Sequence, residues 1–208
     1  GATAYRLFVN GEFLGYGPAR GPHGRDRVDE WPLKGRCRSG RNTIAIEVAG
    51  YNANSYYHIN QPSYLQAEIA AGERVLASTG GGGVRFVGRA LDSRLQKVQR
   101  YSFQRTFSEV YRLAPDWDAW RSGGGFEPQP LAPRPQARIL PRLAPYPEFR
   151  VLHPAREVFE GALTNNPARK VWSDRTIKGV GPEFAGFPES DLVTVPFYEV
   201  QRLETARQ

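Results

Sequence analysis

The stretch GYNANSYYHINQ, residues 50–61, crowds Tyr51, Asn52, Asn54, Tyr56, Tyr57, His58 and Gln61 into one short segment. These residue types suit one chemistry in particular. An aromatic face stacks on the C–H surface of a sugar ring, while amide groups pair with its vicinal hydroxyls. The same residues also suit an ordered loop whose tyrosines cover a core and whose asparagines hold turns. Both readings stand on the residues alone, and this loop is the first choice for a carbohydrate-binding site. A second candidate is GYGPARGPHG, residues 15–24, where Pro18 fixes φ, the glycines allow a tight path and Arg20 projects a five-donor fork. Arg20 reads first as a connector, paired with a carboxylate such as Asp29 or Glu30 or stacked on a neighbouring domain, and second as a sugar contact.

A third cluster, DWDAWR at 116–121, sets Asp116 and Asp118 beside Trp117 and Trp120. Carboxylates next to indoles fit a glycosidase subsite, but aspartates at i and i+2 in a turn are more often capping or solvated groups, and that structural reading is preferred. Glu68 and Glu109 lie in strand-like patterns with no partner visible in the sequence. His23, His58 and His153 share no metal-ligand spacing with acidic residues or with Cys37, so no metal and no cofactor is expected. A calcium ion held by backbone carbonyls would leave no mark in a sequence. There is no G-x-S-x-G serine motif, and GGGG at 80–83 lacks the lysine and helix of a phosphate loop. No residue is assigned a catalytic role.

The elements that must position these residues are β-type. Aromatics at 12%, with 22 Gly and 17 Pro in 208 residues, describe short strands joined by tight turns. In AYRLFVNGEFLGYG the Asn10-Gly11 pair accepts the two positive φ angles of a type I′ turn, which predicts a two-residue hairpin. Tyr5, Leu7 and Val9 then share one face, and Arg6 and Phe8 the other. In NTIAIEVAG the same alternation predicts Ile44, Ile46 and Val48 on the buried side, with Thr43, Ala45 and Glu47 opposite. Short strands are predicted at 64–70 and 74–79, joined through Ala71-Gly72-Glu73, and strand-type composition runs over 97–113. Seven prolines between 128 and 147 predict an extended linker or a strap lying on the surface rather than a sheet interior. The segments 149–160, 167–181 and 191–203 have the composition of opening strands of another unit. The expected division is a β-sandwich over 1–121, a Pro/Gly-rich linker over 122–148 and a partial second β domain over 149–208.

The formal net charge of +7 is spread along the chain. Its densest basic patch, 24–41, is broken by Asp26, Asp29 and Glu30, and no base-reading motif occurs, so no nucleic-acid partner is expected. No apolar run reaches the roughly 18 residues of a membrane span. Cys37 is the single cysteine, which leans toward a reducing, cytoplasmic compartment over secretion. A start at Gly1 with no methionine anywhere reads as a piece or a processed form of a longer protein.

YRLFVNGEFLGYGPARG (5–21), DEWPL (29–33), SGRNTIAIEVAGYNANSYY (39–57), QPSYLQAEI (61–69) and QRYSFQRTFSEVYRL (99–113), in this order and spacing, resemble the N-terminal region of bacterial α-L-rhamnosidase-like glycoside hydrolases. The VNGxxxGxGPxR run followed by an extended strand also resembles the galactose-binding-like jelly-roll modules attached to many glycosidases. The resemblance implies an all-β jelly-roll sandwich that precedes an (α/α)6 catalytic barrel cleaving terminal rhamnose. It implies that the carboxylate pair for hydrolysis lies in that barrel, outside this sequence. The partners implied are a rhamnose-containing glycoside or polysaccharide and the catalytic domain of the same protein. The family pattern has strands ahead of YRLFVNG where this chain has four residues, so one edge of the sandwich is expected to be missing or supplied by another segment. On the same residues, a stand-alone carbohydrate-binding or adhesion module is the alternative.

Overall fold

A computed structural model describes residues 3–22, 24–51, 60–95, 109–125, 127–135, 137–156, 161–165 and 198–202. Among these the architecture is strands with almost no helix, an all-β chain. The central sheet has three antiparallel strands in the order β2-β1-β4: β1 (Thr3–Val9), β2 (Glu12–Gly17) and β4 (Ile44–Gly50). Val9 pairs with Glu12 across Asn10 and Gly11, whose φ angles of 53° and 90° are the two positive values the Asn-Gly dipeptide was expected to supply. One irregularity opposite Leu7 and Phe8 inserts Leu14 into β2 and bends the hairpin.

The turn is also clamped from outside. The Asn10 side chain accepts the Thr43 amide at 2.9 Å and donates to the Asn42 side chain at 3.0 Å, while its own amide donates to the Thr43 carbonyl at 2.8 Å. Asn42 in turn bonds the backbone at Arg38 and Gly40. The tip of the hairpin is thereby fastened to the start of β4. Asn10→Ala is expected to cost about 2–3 kcal/mol, from left-handed backbone strain plus two lost hydrogen bonds, whereas Asn10→Gly keeps the backbone and loses roughly 1 kcal/mol. Urea unfolding of the two variants measures the difference.

Both faces of this sheet are covered. On one, Leu7, Val9 and Leu14 form a buried cluster with Tyr5, Trp31, Leu33, Ile44 and Ile46 packed around it. On the other, Phe8 meets Phe13 and Trp120 edge to face, at centroid separations of 5.9 and 5.8 Å. The expected alternation in β4 is therefore only half of what occurs. Ile44 and Ile46 do face the cluster, but Ala45 and Glu47 are the more buried residues of the strand, at 9% and 6% exposure. The second face is closed by a short 3-10 helix, Ala119–Ser122, and by Tyr111.

The proline-rich stretch behaves as a strap. Its β8 (Ile139–Pro141) pairs in parallel with β3 (Asp26–Val28), and Arg142 continues the ladder by donating its amide to the Val28 carbonyl at 3.2 Å. Further along, Phe149 packs against Phe13, Tyr16 and Trp31. Residues 149–156, expected to open a strand, join no ladder, because Phe149 docks on these rings instead. A second sheet holds the predicted hairpin of β5 (Glu68–Ala71) and β6 (Arg74–Ser78), with β7 (Val84–Arg85) added in parallel to β6. The reversal into β7 uses the glycine run: Gly83, at φ 63°, lies so close to the Leu76 carbonyl that no Cβ fits. Past the strap, β9 (Gly161–Asn165) pairs antiparallel with β10 (Tyr198–Arg202), the latter inside the predicted 191–203 segment. The predicted 167–181 segment and most of 97–113 lie outside the described residues.

Candidate functional site

Two polar clusters flank the central sheet. The first sits where the strap crosses it. Asp29, its side chain 1% exposed, is bound at one oxygen by the Arg142 guanidinium at 2.8 Å and at the other by the Tyr5 hydroxyl. Trp31 donates its indole N–H to the same hydroxyl at 2.9 Å and lies over Gly15, where a side chain would collide with its ring. Arg142 also stacks on Tyr146 at 4.2 Å and bonds the Ala144 and Pro145 carbonyls. Tyr146 closes the strap by exchanging hydrogen bonds with the Glu30 backbone, at 2.6 and 2.8 Å. Tyr5, Asp29, Trp31, Arg142 and Tyr146 therefore act as a clasp.

Burial, followed by the hydrogen bond to Asp29, raises the Tyr5 hydroxyl well above its ordinary value. Such a group holds its proton in the folded state while the unfolded chain releases it. Its contribution is fully present below about pH 10, the unfolded value, and is lost as pH rises from there toward the folded value. Stability is expected to fall above about pH 10, and Tyr5→Phe should flatten that decline in urea midpoints measured against pH. Tyr111 and Tyr146, raised in the same direction chiefly by burial, leave a residual slope.

The second cluster occupies the opposite face. Arg6 grips Glu47 across neighbouring strands with bonds of 3.1 and 2.9 Å, and also donates to the Tyr111 hydroxyl at 2.9 Å. Arg94 bonds the Tyr51 hydroxyl at 2.7 Å and Glu109 at 3.2 Å. Below them, Tyr111 tilts against Trp117 at 5.6 Å, and the Arg121 guanidinium lies over Phe8, Trp117 and Trp120. Asp118 anchors Arg121 at 3.1 Å. In the DWDAWR turn, then, Trp120 and Arg121 serve packing, and Asp118, expected as a capping or solvated group, makes no side-chain cap bond to the 119–122 helix and pairs with Arg121 instead.

Asp116 and Trp117 are placed differently. With Trp120 they line an open cleft of about 330 Å³ between residues 89–93 and 112–125, rimmed by Arg89, Asp92 and Arg112. Backbone bonds from Arg112 to Ser93 at 2.7 Å and from Gln129 to Gly88 at 2.9 Å hold its walls together.

Of the site residues predicted from sequence, Tyr51 is half-buried and engaged with Arg94, Gln61 is half-buried, and Arg20 is exposed just beyond the cis Gly17–Pro18 bond. Asn52, Asn54, Tyr56 and Tyr57 lie outside the described residues, as do His23 and His58. Asp29, expected as one possible partner of Arg20, carries Tyr5 and Arg142. The Arg6–Glu47 pair was legible as opposite charges once β1 and β4 were aligned. Arg94 had no local signal, since Tyr51 and Glu109 come from other loops, and nothing local tied the Arg89–Asp92 pair or Arg112 to residues 116–120. Among the described residues there is no cluster able to hold a metal ion and no helix long and apolar enough to cross a membrane.

No protein family, no curated protein and no solved structure matches this chain.

Proposed function

We propose that this chain is the non-catalytic β-sandwich part of an α-L-rhamnosidase-like glycoside hydrolase, a galactose-binding-like jelly-roll module that packs beside a catalytic domain and helps frame its sugar cleft. One observation carries the reading: the two most distinctive stretches of the resemblance, 5–21 and 39–57, supply the three strands of a single sheet, with β1 paired along its length to β4. Motifs far apart in the chain are thus parts of one unit, as a module signature requires. The buried carboxylates fit a structural role. Glu47 is gripped by Arg6, and Asp29 by Arg142 and Tyr5, so their oxygens are already occupied. Hydrolysis of a glycoside needs two carboxyl groups free to face the scissile bond, which this reading assigns to the partner barrel. The strap then belongs to the module's own surface, and a cytoplasmic location is part of the same proposal.

The test compares this 208-residue protein with the entire reading frame that encodes it, using an aryl α-L-rhamnoside. Turnover by the full product and none by the piece is the expected result. Enzyme-like turnover by the piece alone, or a full product without glycosidase activity, overturns the proposal, and the latter outcome favours the stand-alone binding module.

A further inference from the structure

The cleft beside Trp117 is built unlike the packed clusters around it. Arg89 is tied to Asp92 at 2.9 Å, but the Arg112 guanidinium and the Asp116 carboxylate make no hydrogen bond or ion pair among the described residues, although both line the same opening. Asp116 sits at a positive φ of 59°, in the left-handed region that Asp, like Asn, adopts more readily than most residues. The indoles of Trp117 and Trp120 form the apolar wall, and Arg121 packed over both rings keeps that wall in place. An apolar wall with a few convergent polar groups is the usual make-up of a small-molecule site.

We propose that this cleft is a carbohydrate subsite that takes a neutral pyranose. Arg112 offers only donors and Asp116 only acceptors, the complementary pair that adjacent sugar hydroxyls require. The indole wall suits the C–H surface of the ring. Two guanidinium groups and two carboxylates line the opening. Their charges balance, so a neutral polyhydroxylated ligand fits better than an anionic one, which would meet Asp92 and Asp116. A volume of about 330 Å³ sits at the small end of ligand sites, room for one or two rings within the cleft. The inference rests on the carbohydrate class of the proposed function and adds residues 112–120 as a place of direct contact.

The experiment titrates the 208-residue protein with methyl α-L-rhamnoside, methyl β-D-galactoside and sodium galacturonate by calorimetry and ligand-observed NMR. Arg112→Ala, Asp116→Asn and Tyr51→Phe are run in parallel. Arg112→Ala keeps the backbone bond to Ser93, and Asp116→Asn places at the positive φ a residue that tolerates it. Millimolar binding of a neutral glycoside is expected, weakened about tenfold or more by Arg112→Ala and by Asp116→Asn and unchanged by Tyr51→Phe, with unaltered urea midpoints for the two cleft variants. Undiminished binding in both cleft variants overturns the subsite while leaving the carbohydrate reading standing. Preference for galacturonate overturns the neutral ligand. Failure of every glycoside to bind overturns the subsite, and the full-frame assay separately decides whether the chain belongs to a glycosidase.

Discussion

Asp29→Ala is expected to lower the unfolding free energy by about 3–5 kcal/mol, the cost of removing one partner from a buried ion pair. The substitution leaves Arg142, whose side chain is 11% exposed, as a charge without its carboxylate, and it strips the Tyr5 hydroxyl of its acceptor. Both losses fall on the clasp that fastens the strap to the sheet. The size of the effect comes from stranding the charge, so Arg142→Met together with Asp29→Ala should be far less damaging than the sum of the two single changes. Urea unfolding across the four proteins of this double-mutant cycle gives the coupling. Additive losses would mean that the pair carries little. A domain is stable by only about 5–15 kcal/mol, so the single variant should also become more sensitive to protease along the strap.

Trp31→Ala is expected to cost about 3 kcal/mol, the low end for truncating a large core aromatic, because Trp31 is only half-buried. Its ring spans three partners: the bare backbone of Gly15 on β2, and Tyr146 and Phe149 of the strap at centroid separations of 4.8 and 5.5 Å. Removing it opens a gap under the strap and takes from the Tyr5 hydroxyl the indole donor at 2.9 Å. Because Trp31 and Asp29 share Tyr5, the double variant should lose less than the two single losses combined. Circular dichroism and urea titration are the suitable readouts, since the substitution removes one of the fluorescent reporters. Gly15→Val should damage the same contact from the other side by pushing the ring away.

How much of this was legible depends on the range over which each signal acts. The hairpin at Asn10-Gly11 is a local matter: two residues tolerant of positive φ between alternating apolar runs leave little choice, and the structure follows. The β5–β6 hairpin has the same origin. The second face of the sheet was not legible. A period of two says which side chains share a face but not whether the other face meets water, and Glu47 reads as solvent-facing until Arg6, Tyr111 and the 119–122 helix are brought over it. The prolines excluded a sheet interior and led to the expected division with a linker over 122–148, whereas the strap depends on Tyr146 and Phe149, whose rings find Trp31. For the site, Trp117 and Asp116 were visible as a pair, but Arg89, Asp92 and Arg112 reach the same cleft from other segments.

By itself, then, the sequence determined an all-β chain, its tightest turns, the face of β1 that forms the Leu7 cluster and the surface nature of the proline-rich stretch. Each follows from backbone preferences and side-chain periods acting within a few residues. Only the tertiary structure decided that the sheet is covered on both sides, that Asp29 belongs to Arg142 and that, among the described residues, the Arg112 and Asp116 side chains have no protein partner beside Trp117. Those outcomes depend on charges and rings meeting across tens of residues, and a one-dimensional pattern carries no record of which distant groups will meet.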